Sequence, residues 1–164
     1  MGTSLTLEEA RRQLNDYRIR NRRVVAYWNK LDRDLQMSVG VGEMQIVLPS
    51  GRNLRYHALR RLHGDLYATF ASEEGYRETK LWGGFLTENA VSGTARDIFA
   101  EGLLRLEAAG LSVVLHCHDE YVLEVDSDVK LSDVLELLRQ PPEWALDLPI
   151  DAEGWEGDCY APRC

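Results

Sequence analysis

His118, Asp119 and Glu120 stand together between two apolar runs, LSVVLHC at 111–117 and YVLEV at 121–125. Charge is costly to bury at the tip of a tight turn, so these carboxylates must face water, a metal ion or a partner. Adjacent Asp and Glu offer hard oxygen donors that suit Mg²⁺, which usually takes only one or two protein carboxylates. The plain alternative is a solvated hairpin turn, because Asp is common in turns. His116, Cys117 and His118 also raise the question of zinc. Strand alternation puts His116 and His118 on one side and Cys117 on the other. Two histidines would need two more ligands, and Cys159 and Cys164 supply them only on paper, so zinc is set aside.

The elements around this tip follow from periodicity. Thr6-Leu7-Glu8-Glu9 reads as a capping box that opens a helix with Leu7, Ala10, Leu14 and Tyr17 at helical spacing. A second helix carries Val24, Trp28, Leu31 and Leu35 on one stripe, with Trp28 as a core anchor, and Arg20, Arg22, Arg23, Lys30 and Arg33 on the other face. Met44, Ile46 and Leu48 alternate, as do Leu54 and Tyr56, about the turn Pro49-Ser50-Gly51-Arg52, which predicts a β-hairpin. A further strand is expected at 66–70 and a loop at 73–76. Thr87 is the expected N-cap of a long helix whose apolar face is Ala90, Val91, Ala95, Ile98, Leu103 and Leu106, with Gly110 at its C-terminal end. Residues 111–117 read as a buried strand and 121–125 as its partner. A short helix at 131–138 stops at Pro141-Pro142, and 148–150 reads as an edge strand. No internal repeat or linker interrupts the chain, so the expected fold is one compact α+β unit.

Composition narrows the class. The 164 residues are 45% hydrophobic and 28% charged, ordinary globular values that exclude a low-complexity or disordered scaffold. No apolar run approaches the ~20 residues of a membrane span, and residues 1–23 lack the apolar core of a signal peptide. Three cysteines without a paired spacing predict no disulfide framework and a reducing, cytoplasmic setting. The net charge of −8 is unevenly spread. Residues 1–80 hold 14 basic and 10 acidic side chains, whereas 81–164 hold 5 and 17. A polyanion suits only the first half, and the competing explanation is an Arg-rich solvated helix face.

The order of long helix, Gly110, apolar strand, His-Asp-Glu and apolar strand resembles motif C of the family A DNA polymerases, the bacterial polymerase I and phage class. Other stretches carry the same resemblance in order, from about residue 5 to 160. Glu8-Glu9-Ala10 with the Tyr17…Trp28 spacing resembles the fingers segment after the nucleotide-binding helix. Leu48-Pro49-Ser50-Gly51-Arg52 with Leu54 and Tyr56 is similar to a phage-type segment. Trp82-Gly83-Gly84, Thr87-Glu88-Asn89, Ala95-Arg96-Asp97 and Leu106-Glu107-Ala108-Ala109-Gly110 resemble the helix before motif C. Pro142-Glu143-Trp144, Leu148-Pro149 and Gly154-Trp155 resemble the C-terminal end.

The resemblance implies a helical fingers-like segment at 1–38 and a palm-like segment at 39–164, with an antiparallel palm-type hairpin and sheet packed against long helices. It implies attack of a primer 3′-hydroxyl on the α-phosphate of a deoxynucleotide, assisted by two Mg²⁺ ions. Asp119 would be a metal-binding carboxylate, Glu120 a secondary one, and His118 would position the primer terminus. Arg96 and Asn89 would face primer–template DNA, and Arg52 would lie near its phosphates. Arg22 and Arg23 belong to the basic segment expected to meet DNA. Ser92 stands where the family usually carries a Gln that reaches the minor groove, and it is too short for the same contact. Cys117 stands where an aliphatic residue is usual. Motif A, with its Asp, and motif B, with its nucleotide-gripping Arg, Lys and Tyr, have no counterpart in these residues. The expectation is therefore a C-terminal piece of a split polymerase that is inactive without a complementary fragment. An unpaired palm edge would favour that partner or self-association. The alternatives are a non-catalytic remnant or accessory DNA-binding module, and a plain structural domain.

Overall fold

The computed structural model describes residues 5–73 and 75–160. It is α+β, as expected. The elements run α1 (Leu7–Arg20), α2 (Arg22–Ser38), β1 (Glu43–Val47), β2 (Asn53–His57), β3 (Arg60–Leu62), β4 (Asp65–Ser72), β5 (Gly75–Leu81), α3 (Gly83–Ala108), β6 (Ser112–Cys117), β7 (Glu120–Glu124) and α4 (Leu131–Arg139). The strands form antiparallel sheets β1–β2, β3–β4–β5 and β6–β7. Internal contacts divide the chain into one unit of Met1–Val47 with Asn53–Val91 and another of Leu48–Arg52 with Ser92–Cys164. Among the described residues no helix is long and apolar enough to cross a membrane.

In the first unit, α1 opens with the expected capping box. The Glu9 N–H donates to the Thr6 hydroxyl at 3.3 Å, and the Thr6 N–H donates to the Glu9 carboxylate at 2.8 Å. Leu31 and Leu35 are the buried anchors of α2. Trp28 is only half-buried, its ring stacked on Tyr17 with centroids 6.2 Å apart, so it is a helix–helix contact rather than the core anchor. The β1–β2 hairpin forms as its alternation requires, with Met44, Ile46 and Tyr56 buried and Ile46 opposite Leu54. The loop expected at 73–76 is shorter, because Gly75 and Tyr76 already pair with Ser72 and Ala71. Strand β5 has no apolar alternation to announce it. Polar links across its sheet accompany the ladder: Lys80 to Asp65 at 2.6 Å, and Glu78 to Arg60.

Helix α3 starts at Gly83, one turn before the expected Thr87 cap. The Asp32 carboxylate of α2 accepts from the Gly83 N–H at 2.6 Å and so does the capping, while the Thr87 hydroxyl donates back to the Gly83 carbonyl at 2.7 Å. A Cβ at Gly83 would collide with the Trp28 carbonyl and with Asp32, so this close approach requires glycine.

In the second unit, Phe99, Gly102 and Leu106 are the buried positions of α3, with Ile98 and Leu103 half-buried. Ala95, assigned to the apolar face, is exposed, as is Val91 at the edge of the first unit. The helix ends in a Schellman motif: Leu111 N–H to the Leu106 carbonyl and Gly110 N–H to the Glu107 carbonyl, both 3.0 Å, with Gly110 at φ +78°. Strand β6 was expected to be buried but is mostly exposed, with Val114 at 54%. Its sheet has two strands among the described residues, and the rings that pack on α3 come from one face. Residues 148–150, expected as an edge strand, form none; they follow a short 3₁₀ turn at Glu143–Ala145.

Candidate active site

The acidic tip is a two-residue loop. Cys117 pairs with Glu120, leaving His118 and Asp119 to turn the chain. His118 adopts φ +54°, in the left-handed region that disfavours a side chain, though His tolerates it better than most residues. With positive φ at the first loop residue only, the turn has the φ signs of type II′, where glycine is usual. Asp119 and His118 are exposed, and neither makes a hydrogen bond or ion pair among the described residues. The Glu120 carboxylate accepts one hydrogen bond among the described residues, from the Tyr160 hydroxyl at 3.1 Å.

Aromatic packing fixes the hairpin that carries this loop. Val114 is the extra residue of a bulge in β6, so the register runs Val113 to Leu123 and then Leu115 to Val122. Beyond it, His116 and Tyr121 pair and meet Phe99 of α3. Tyr121 stacks on Phe99 with centroids 4.1 Å apart and planes at 3°, and His116 meets the same ring edge-on at 5.7 Å. The Tyr121 hydroxyl donates to the Phe99 carbonyl at 2.7 Å. Burial pushes the Tyr121 phenol above its ordinary pKa, partly offset by Arg105 and Arg96. The hydroxyl occupies the space a side chain at position 102 would need, which accounts for Gly102 inside a helix. On the same ring, the Arg96 guanidinium lies 5.3 Å from the Phe99 centroid.

A second hairpin tip, Leu48–Arg52, belongs to the same unit. Ser50 and Arg52 both donate to the Asp97 carboxylate, Arg52 Nε at 2.6 Å, and Arg52 Nη2 also donates to the Gly93 carbonyl at 2.9 Å. Gly51 supplies the positive φ of +85°. A shallow groove here is lined by Ser50, Arg52, Asp97, Ala100, Glu101 and Leu104.

The structure thus joins Arg96 to the acidic hairpin through the shared Phe99 ring. Arg52 is tied to α3, with its side chain still 46% exposed. Ser92 is exposed on α3. Asn89 lies in the first unit and donates to the Tyr56 hydroxyl at 3.0 Å. Arg22 and Arg23, also in the first unit, are exposed at the start of α2 with no partner among the described residues. His116 turns to Phe99, whereas His118 sits in the loop, so the two do not share a strand face. Among the described residues no three His, Cys, Asp or Glu side chains converge as a metal site, and Cys164 lies outside those residues. Phe99, Tyr121 and Tyr160 were missed by sequence reasoning. Gly102, a glycine within a helical pattern, was the one available signal.

No protein-family model matches the chain, and no solved structure does so significantly. The chain is 34% identical, over an alignment 171 positions long, to a DNA polymerase of Bacillus phage SP02. It is similar to a segment of a DNA polymerase. The match covers 88% of this chain but 26% of the phage protein, so the chain spans about a quarter of that relative.

Proposed function

We propose that this chain is the C-terminal part, or one subunit, of a DNA-directed DNA polymerase of family A, with His118-Asp119-Glu120 as its motif C. Residues 1–38 would be the fingers-like part and 39–164 the palm-like part. The observation that carries this reading is Asp119: an exposed carboxylate without a partner among the described residues, on a hairpin braced by stacked rings, in a chain similar to a phage DNA polymerase.

Asp119 and Glu120 fit Mg²⁺ in kind, being exposed hard-oxygen donors that make no ion pair with Lys or Arg among the described residues. They do not fit a complete two-ion site in number, since no third ligand joins them among the described residues. The remaining carboxylate would come from chain beyond these residues or from another polypeptide. Bound there, Mg²⁺ would stabilise charge on the attacking and leaving oxygens of nucleotidyl transfer. Asp119 is exposed and breaks no hydrogen bond or ion pair to a described residue in order to bind a ligand. His118 holds an imidazole at the tip, suited to positioning a primer end. Arg96, oriented by Phe99, offers guanidinium N–H groups to a phosphate backbone. Arg22 and Arg23 offer a second, sequence-independent contact to DNA.

The test is complementation. The chain is mixed with the preceding part of an SP02-type polymerase, and primer extension with Mg²⁺ is measured against each part by itself. Extension by the pair alone, abolished by Asp119→Ala and slowed less by Glu120→Ala, supports the proposal. Equal extension with Asp119→Ala removes Asp119 from the chemistry. The rival, an accessory DNA-binding module, draws on the incomplete ligand set and the short Ser92 side chain. It predicts a stably assembled pair without extension and salt-sensitive DNA binding that Arg22→Glu with Arg23→Glu weakens more than Lys130→Glu.

A further inference from the structure

We propose that Tyr160 is a positioning residue for Glu120, carried to the acidic tip by a strap formed of residues 151–160. The inference rests on the polymerase reading for its purpose, but not for its geometry. The segment has almost no regular structure, yet polar contacts fasten it to α4. Arg139 Nε donates to Asp151 at 2.7 Å, Arg139 Nη2 donates to the Ala152 carbonyl at 2.6 Å, and the Leu131 N–H donates to Glu156 at 3.3 Å. Gly154 lies against Leu131 and Leu135, where a Cβ would come within 3.0 Å of a Leu131 methyl carbon. The strap ends with the Tyr160 hydroxyl donating to Glu120 Oε2 at 3.1 Å.

A carboxylate has two oxygens and about four acceptor directions, so a donor on Oε2 leaves Oε1 available to a cation. A hydrogen bond to a ligating carboxylate limits its rotation and lowers the entropy lost when a metal binds. Asp119 lacks such a donor among the described residues. The two carboxylates of the tip are therefore unequal: one is oriented in advance and the other is free.

The experiment uses the full chain with Tyr160→Phe, Glu120→Gln and the double variant. Carboxyl-carbon and ring resonances are followed by NMR, and Mn²⁺ is titrated against broadening of the tip signals. Tyr160→Phe should move the Glu120 carboxyl resonance, and Glu120→Gln should move the Tyr160 ring resonances, while α4 signals stay in place. Tyr160→Phe should weaken Mn²⁺ binding roughly tenfold, and only when Glu120 is present. Absent reciprocal shifts, an unchanged Mn²⁺ affinity, or an equal loss in the Glu120→Gln background would each overturn the proposal. The reciprocal shifts and the Mn²⁺ effect do not depend on polymerisation. If they hold while the complemented pair fails to extend primers, the positioning role stands and the polymerase reading falls.

Discussion

The two hairpin tips of the second unit are built on opposite plans. At Leu48–Arg52 every strong polar side chain is committed internally: Ser50 and Arg52 converge on Asp97, Arg52 also reaches the Gly93 carbonyl, and Gly51 takes the left-handed backbone without strain. At His118–Asp119 the side chains are exposed and have no partner among the described residues, and a histidine occupies the left-handed position. Hydrogen bonds to a charged group contribute about 1.5–3 kcal/mol when they are made within the protein. Groups left free contribute nothing to the fold and keep their capacity for an external ligand. The first tip is a fastening, and the second has the free polar groups that the proposed function requires. The left-handed His118 is a backbone outlier of the kind that clusters at functional sites, which accords with the proposed role of the second tip.

The largest expected difference is between the two aspartates. Asp119→Ala should cut primer extension by the complemented pair at least ~1000-fold, through several kcal/mol of lost transition-state stabilisation. It should change folding stability by less than about 0.5 kcal/mol, as an exposed group with no partner among the described residues. Asp97→Ala should do the reverse in denaturant titration, destabilising by about 2 kcal/mol because Arg52 and Ser50 lose a shared acceptor. Equal stability losses would erase the contrast.

Next come the supports. Gly102→Ala places a methyl group where the Tyr121 hydroxyl lies. Overpacking of about 1–3 kcal/mol should outweigh the ~1 kcal/mol gained in helix propensity. The His116 and Tyr121 ring signals should shift together, because both meet Phe99.

A glycine exchange then distinguishes the turns by sign. Gly51→Ala forces a side chain to φ +85° and should cost about 1–2 kcal/mol. His118→Gly relieves the same kind of strain and should be neutral or stabilising by up to about 1 kcal/mol, while slowing the complemented reaction. Thermal denaturation of the two variants gives both signs.

The smallest effect concerns pH. Burial raises the Tyr121 phenol above 10.0, so the unfolded state loses its proton first. Stability should be intact below about pH 10 and decline as pH rises through the interval up to the raised value. Tyr56, raised by burial in the first unit, acts in the same direction. Tyr121→Phe should remove part of the decline and lower stability at neutral pH by about 1 kcal/mol through the lost bond to the Phe99 carbonyl. An alkaline melt unchanged by Tyr121→Phe would show that this phenol does not hold the hairpin.

The sequence by itself determined what lies within a few residues along the chain. Thr6 and Glu9 cap each other across one turn, Gly110 closes α3 where a left-handed residue is needed, and alternation about Pro49-Ser50-Gly51-Arg52 defines the first hairpin. The apolar runs flanking His118-Asp119-Glu120 likewise defined the second hairpin and its exposed tip. Steric limits on φ and ψ and short-range hydrogen bonds act over three or four residues, so one-dimensional spacing suffices to read them. Tertiary structure decided the partners. Asp32 caps α3 from 51 residues away, displacing Thr87 from that role, and Tyr121 fills the space left by Gly102. Tyr160 reaches Glu120 across 40 residues, and the exposure of Val114 depends on which strands complete the sheet. Composition marked β6 as apolar, but burial is a property of what lies opposite a side chain, and spacing along the chain does not contain it.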